Sequence, residues 1–158
     1  MKHIIYFILF ITFSAPAQEL KLIKATKQTI NAGASPSSVT NYVVIIKKEK
    51  CFKWSVDSVV NIDSRMSVKY NIVKADNPNA ASPNYQRVQS FSKKDKGLYH
   101  ITFSSSKSHS SGRPGSPLNT SVTTPEFTRG ALIYYSAGKK KKQLQVNSFE
   151  QLATIDAP

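Results

Sequence analysis

Beyond residue 18 the apolar positions recur mainly with a period of two, the alternation expected of strands with one face buried. Met66, Val68, Tyr70 and Ile72 alternate with Ser67, Lys69 and Asn71, which predicts a half-buried strand. Phe52, Trp54 and Val56 share one face of a second strand. Tyr99, Ile101 and Phe103 share one face of a third, so that His100 falls on the opposite side and is expected to meet solvent. Tyr42 to Ile46 is an unbroken aromatic and β-branched run, the pattern of a strand buried on both faces. Leu20 to Ile30, Gly130 to Ser136 and Lys139 to Val146 complete the set, with Leu144 and Val146 inward. Tyr134 and Tyr135 are neighbours on a strand and must point to opposite faces. Phe149 and Leu152 are placed to close one end of the core.

Turn-forming residues punctuate these runs. Residues 31–38 read as a loop, Ala137-Gly138 as a tight turn, and residues 74–90 as a long crossing with Asn77-Pro78-Asn79 and Ser82-Pro83-Asn84. A Ser/Pro-rich loop is expected near residues 104–125. No segment keeps helical spacing over three turns. The expected fold is therefore all-β, an antiparallel two-layer sandwich of immunoglobulin-like topology, with a closed barrel as the competitor. Trp54 stands before the middle of the chain, where such a sandwich buries a tryptophan.

The first residues follow another rule. Lys2 and His3 precede an apolar run from Ile4 to Phe13, and Ala15-Pro16-Ala17 supplies small residues before a cut. A run of about ten apolar residues is too short to span a bilayer as a helix and suits a cleavable signal peptide over residues 1–17. Residues 18–158 then form a single domain of about 140 residues, periplasmic or secreted, without a transmembrane segment. Cys51 cannot pair within the chain, so the core must hold without a disulfide, and Cys51 is expected to be a small buried or half-buried side chain.

Charge changes the picture more than composition does. The chain carries 22 Lys+Arg against 9 Asp+Glu, a formal net charge of +13. Hydrophobic content of 40% provides enough apolar mass for a core, so this is no disordered basic tail. The excess concentrates at Lys47, Lys48, Lys50 and Lys53, at Lys93, Lys94 and Lys96, and at Lys139, Lys140, Lys141 and Lys142. Each cluster lies in or beside an expected turn. Lysines at turns and edges blunt sheet aggregation; sharing one end of a sandwich, they would also sum their fields toward anionic partners. His109 and Arg113 are candidate binding groups in the Ser/Pro-rich loop, and Asn119-Thr120-Ser121 matches a glycosylation acceptor.

Phe91-Ser92-Lys93-Lys94-Asp95-Lys96-Gly97 before Ile101-Thr102-Phe103, then Gly130 to Tyr135 and Gly138-Lys139-Lys140-Lys141, resemble small exported β-sandwich proteins of Gram-negative bacteria. The resemblance spans roughly residues 20–152. It implies an exported immunoglobulin-like sandwich and brings no catalytic residues.

Reactive constellations have little support. There is no G-x-S-x-G elbow, no C-x-x-C, no H-x-x-x-H and no Walker-type loop. A Cys51 dyad with His100 or His109 requires hydrogen-bond reach between the two groups, and glycosidase chemistry requires converging carboxylates, for which Asp57 and Asp63 are the nearest pair. The sequence thus points to an exported, non-enzymatic interaction or structural module with no cofactor and no metal. Its partner is expected to be a protein or an anionic envelope component, with no specific nucleic acid. The alternative is a binding module for anionic glycans or lipid headgroups, acting through the lysine-rich turns.

Overall fold

A computed structural model describes residues 19–32, 37–75, 91–108 and 125–157. The described chain is all-β. Its strands are β1 Leu20–Ala32, β2 Ser37–Lys48, β3 Trp54–Asn61, β4 Ser67–Val68, β5 Tyr70–Ala75, β6 Gly97–Ser108, β7 Ala131–Ala137 and β8 Lys140–Val146, followed by the short β9 Glu150–Gln151 and β10 Ile155–Ala157. The larger sheet runs β10-β1-β2-β6-β5, with β9 also beside β1, and the smaller runs β4-β3-β7-β8. Neighbours pair antiparallel, except that β9 and β10 lie parallel to β1.

The two sheets pack face to face, as period-two burial requires. Tyr42, Val44 and Ile46 of β2 and Tyr99, Ile101 and Phe103 of β6 meet Trp54, Val56 and Val59 of β3 and Ile133 and Tyr135 of β7. Leu144 and Val146 of β8 point into the same core. Fully burying side chains of this size contributes about 1.5–3 kcal/mol each, before the opposing chain entropy. Toward one end Tyr42 stacks on Phe103 with centroids 5.2 Å apart, and Phe127 lies 4.9 Å from Tyr42. The Tyr42 hydroxyl accepts the Phe127 N–H at 3.3 Å, so this buried phenol keeps a polar partner.

Several expectations need correction. The alternating run from Met66 to Ile72 is not one strand: Val68 pairs with Val59 in the smaller sheet, whereas Tyr70 pairs with Phe103 in the larger. The chain changes layers at Lys69, and because both faces involved look into the same core, the alternation continues through the crossing. Met66 is 53% exposed. β6 extends to Ser108, placing Ser104, Ser105 and Ser106 opposite Asn41, Thr40 and Val39 rather than in a loop. Cys51 is exposed, since it lies between strands. His100 does oppose Tyr99, but its side is buried too, beside Ile45 and Val73. Phe149 packs against the core while Leu152 remains exposed. Tyr135 is buried and Tyr134 exposed, as their adjacency demands.

Two polar pins fix the end of the sandwich beyond Asn61. The buried Asn61 amide donates to the Pro125 and Glu126 carbonyls at 3.2 and 3.1 Å, while its oxygen accepts the Asp63 N–H at 2.7 Å. Asp63 in turn accepts the N–H groups of Thr128 and Arg129 and the Arg129 Nε–H. Residues 1–17, expected to be a signal peptide, lie outside the described residues, as do His109, Arg113 and Asn119-Thr120-Ser121.

Candidate anion-binding end

Strand register decides where the lysine clusters lie. Lys48 at the end of β2 is opposite Gly97 at the start of β6, which carries Lys93, Lys94 and Lys96 to the same end. Trp54 at the start of β3 exchanges backbone hydrogen bonds with Phe91 at 3.3 and 3.0 Å, bringing Lys53 beside that turn. The Gly138 N–H donates to the Lys53 carbonyl at 2.8 Å, which adds the β7–β8 turn with Lys139 and Lys140. Gly138 has φ 63, the left-handed conformation that a two-residue hairpin turn demands at its first position. Finally, Lys142 on β8 pairs with Glu19, just before β1, at 3.0 Å. All three clusters therefore converge on one end of the sandwich.

Within this end the lysines divide by environment. Lys47, Lys141 and Lys142 pair with Glu49, Asp57 and Glu19 at 2.9, 2.9 and 3.0 Å. Lys48 departs from its expected role as an exposed anion ligand. It is 1% exposed, and its ammonium donates to the Ser92 and Lys93 carbonyls at 2.8 and 3.4 Å, over the Phe52 ring. Parity explains this: Lys48 follows Tyr42, Val44 and Ile46 on the inward face of β2. Lys50, Lys53, Lys93, Lys94, Lys96, Lys139 and Lys140 are exposed and form no ion pair with a described residue.

The acids here do not neutralise that set. A hydrogen bond from Lys47 holds the Glu49 carboxyl below its ordinary range, and the Ser92 N–H does the same for Asp95. Both stay ionised at neutral pH but are already engaged. Lys21 and Lys74, absent from the sequence-derived candidates, also reach this end, opposite Lys47 and Tyr99. Neither belongs to a local run of lysines, so only strand pairing could have found them.

Other arrangements do less. Asp57, at a bulge in β3, accepts the Ser136 hydroxyl at 2.9 and 2.8 Å, and the Lys141 ammonium donates to both at 2.9 and 2.8 Å. The Ser136 hydroxyl thus donates its hydrogen bond to a carboxylate, and the Lys141 side chain is 77% exposed. Asp57 and Asp63 serve different partners and do not converge. Cys51 is exposed and His100 buried, and the His100 Nε2 has no hydrogen-bond partner among the described residues. Among the described residues no group of three or more His, Cys, Asp or Glu is placed to hold a metal, and no helix is long and apolar enough to cross a membrane. No protein-family model, curated protein or solved structure matches the chain.

Proposed function

We propose that the protein is an exported, non-enzymatic interaction module of immunoglobulin-like topology that binds acidic glycans through its lysine-rich end. The observation that carries the reading is the convergence of three separated lysine clusters on one end, with most of their ammonium groups in no ion pair with a described residue. Summed positive potential attracts a polyanion and speeds encounter without needing a deep pocket. A hydrated acidic glycan suits this end better than a lipid surface. Membrane-surface binding adds inserted apolar side chains to the charge, and among the described residues the exposed large hydrophobics near the lysines are two, Ile23 at the start of β1 and Tyr134 on β7.

The topology supports the immunoglobulin-like part of the reading. The orders β1-β2-β6-β5 and β4-β3-β7-β8 correspond to the ABED and C′CFG sheets of such sandwiches, and Trp54 opens the strand equivalent to C. Export rests on the N-terminal pattern of a charged start, a short apolar run and Ala15-Pro16-Ala17.

The test is affinity for polygalacturonate measured across ionic strength. We expect affinity to fall steeply with salt and to drop several-fold in the double variant Lys50→Gln/Lys139→Gln. Arg65→Gln/Lys107→Gln, which removes the same charge elsewhere, should change it little. Equal losses in both variants would reduce the effect to net charge and sink the proposal; preference for anionic vesicles over polygalacturonate would move it to lipid.

A further inference from the structure

The outer face of the larger sheet changes character along its length. Nearer the lysine end, Ile45, His100 and Val73 stand opposite one another across β2, β6 and β5, and all are buried. One row further, Val43, Thr102 and Asn71 are partners. Beyond them, Gln28, Asn41 and Ser104 align across β1, β2 and β6. A groove of about 670 Å³ opens over these rows, with Lys69 at the β5 side. We propose that this groove binds a saccharide of one or two sugar units, either neutral or carrying one acidic group that faces Lys69.

The chemistry of the lining selects the ligand. Amide side chains carry both donors and acceptors, as do hydroxyls, and a sugar presents hydroxyls of the same dual character. Asn41, Asn71, Thr102 and Ser104 make no side-chain hydrogen bond to another described residue. Gln28 is held by donating to the Ala153 carbonyl at 3.1 Å, which fixes its amide and leaves its oxygen for a ligand. Adjacent strands lie about 4.8 Å apart and same-face residues about 6.8 Å along a strand, so the rows form a grid on the scale of a pyranose ring. The volume falls in the range of small-ligand sites, about 300–1,000 Å³. A single lysine is too little charge for a polyanion, and since Tyr42 and Phe103 of the lining are buried in the core, Val43 and the half-buried Tyr70 leave too little apolar surface for a lipid chain. This site goes beyond the lysine end and does not depend on it.

Saturation-transfer NMR on the full protein with cellobiose, chitobiose and digalacturonate tests the proposal, at millimolar sugar and in high salt that screens the lysine end. Transfer to at least one sugar is expected, and it should be lost in Thr102→Val/Asn71→Leu and weakened several-fold in the milder Asn41→Ala. Native amide spectra of both variants establish that they fold, and Asn41→Ala keeps the test decisive if the double variant does not. No transfer from any of the three sugars, or transfer unchanged in the folded variants, overturns the proposal. Polyanion binding by the lysine end would stand or fall separately, on its own salt dependence.

Discussion

Trp54 and Phe91 are joined twice, by a reciprocal pair of backbone hydrogen bonds and by rings stacked 4.7 Å apart at 21°. Tyr99 meets both rings edge-on, 5.0 Å from Trp54 and 4.5 Å from Phe91. The contact seals the core and also hangs the Lys93–Lys96 turn beside Lys53. Phe91→Ala should therefore destabilise the fold by about 3–5 kcal/mol, the usual loss for deleting a buried phenyl ring. Urea unfolding followed by fluorescence of the single tryptophan reads this contact directly. Phe91→Leu, which keeps most of the volume, should cost clearly less. Equal losses would mean that the aromatic stack itself dominates over cavity formation.

The same residues show what a sequence pattern can and cannot carry. The faces of Trp54, Tyr99, Ile101, Phe103, Leu144 and Val146 followed from alternation alone, because parity is local. Layer membership is not local. Val68 and Tyr70 sit two residues apart in the same alternation, yet they belong to different sheets, and nothing in period-two spacing marks the crossing. Lys48 reads as one more lysine in a charged turn, although parity places it inward after Ile46. The convergence of the lysine clusters was legible only as a possibility, since it depends on pairings between residues far apart in sequence.

Gly130 precedes β7 with φ 101, and a Cβ built there would collide with the Val146 carbonyl oxygen. Gly130→Ala combines backbone strain with a steric conflict against main chain, which cannot swing aside as a side chain can. It should destabilise by more than about 2 kcal/mol and lower the urea midpoint accordingly. Gly138→Ala is the informative contrast: its φ of 63 imposes strain, but no atom lies within 4 Å of the added Cβ. A smaller loss is expected there. The reverse order would show that the Val146 carbonyl yields easily.

His100 is 4% exposed, lies opposite Ile45 and Val73, and its Nε2 has no hydrogen-bond partner among the described residues. Burial pushes its pKa below the ordinary histidine value of 6.5. The unfolded chain therefore takes up the proton first, and stability falls as pH drops below about 6.5 toward the lowered folded value. Carboxylates behave differently. Asp63, held well below the usual carboxylate range by the Arg129 N–H and guanidinium and by Thr128, keeps its contribution until pH falls below about 3.8. Urea midpoints at pH 7.5 and 5 should differ in the wild type, and that difference should shrink in His100→Gln. An unchanged difference would assign the acid sensitivity to another group.

Lys48 gives the sharpest division between structure and binding. Its ammonium donates to the Ser92 and Lys93 carbonyls in a site where burial lowers its pKa, an effect partly offset by Asp95. Lys48→Met keeps the aliphatic stem against Phe52 but leaves both carbonyls without their charged donor. A loss of about 1–2 kcal/mol is expected, from removing a charged hydrogen bond in a part-buried site. Since this lysine is 1% exposed, its charge is poorly placed to meet a polyanion directly. Folded Lys48→Met should therefore retain affinity for polygalacturonate within about twofold, less change than Lys50→Gln produces. A large affinity loss without loss of stability would place Lys48 among the binding groups and contradict the division drawn from its burial.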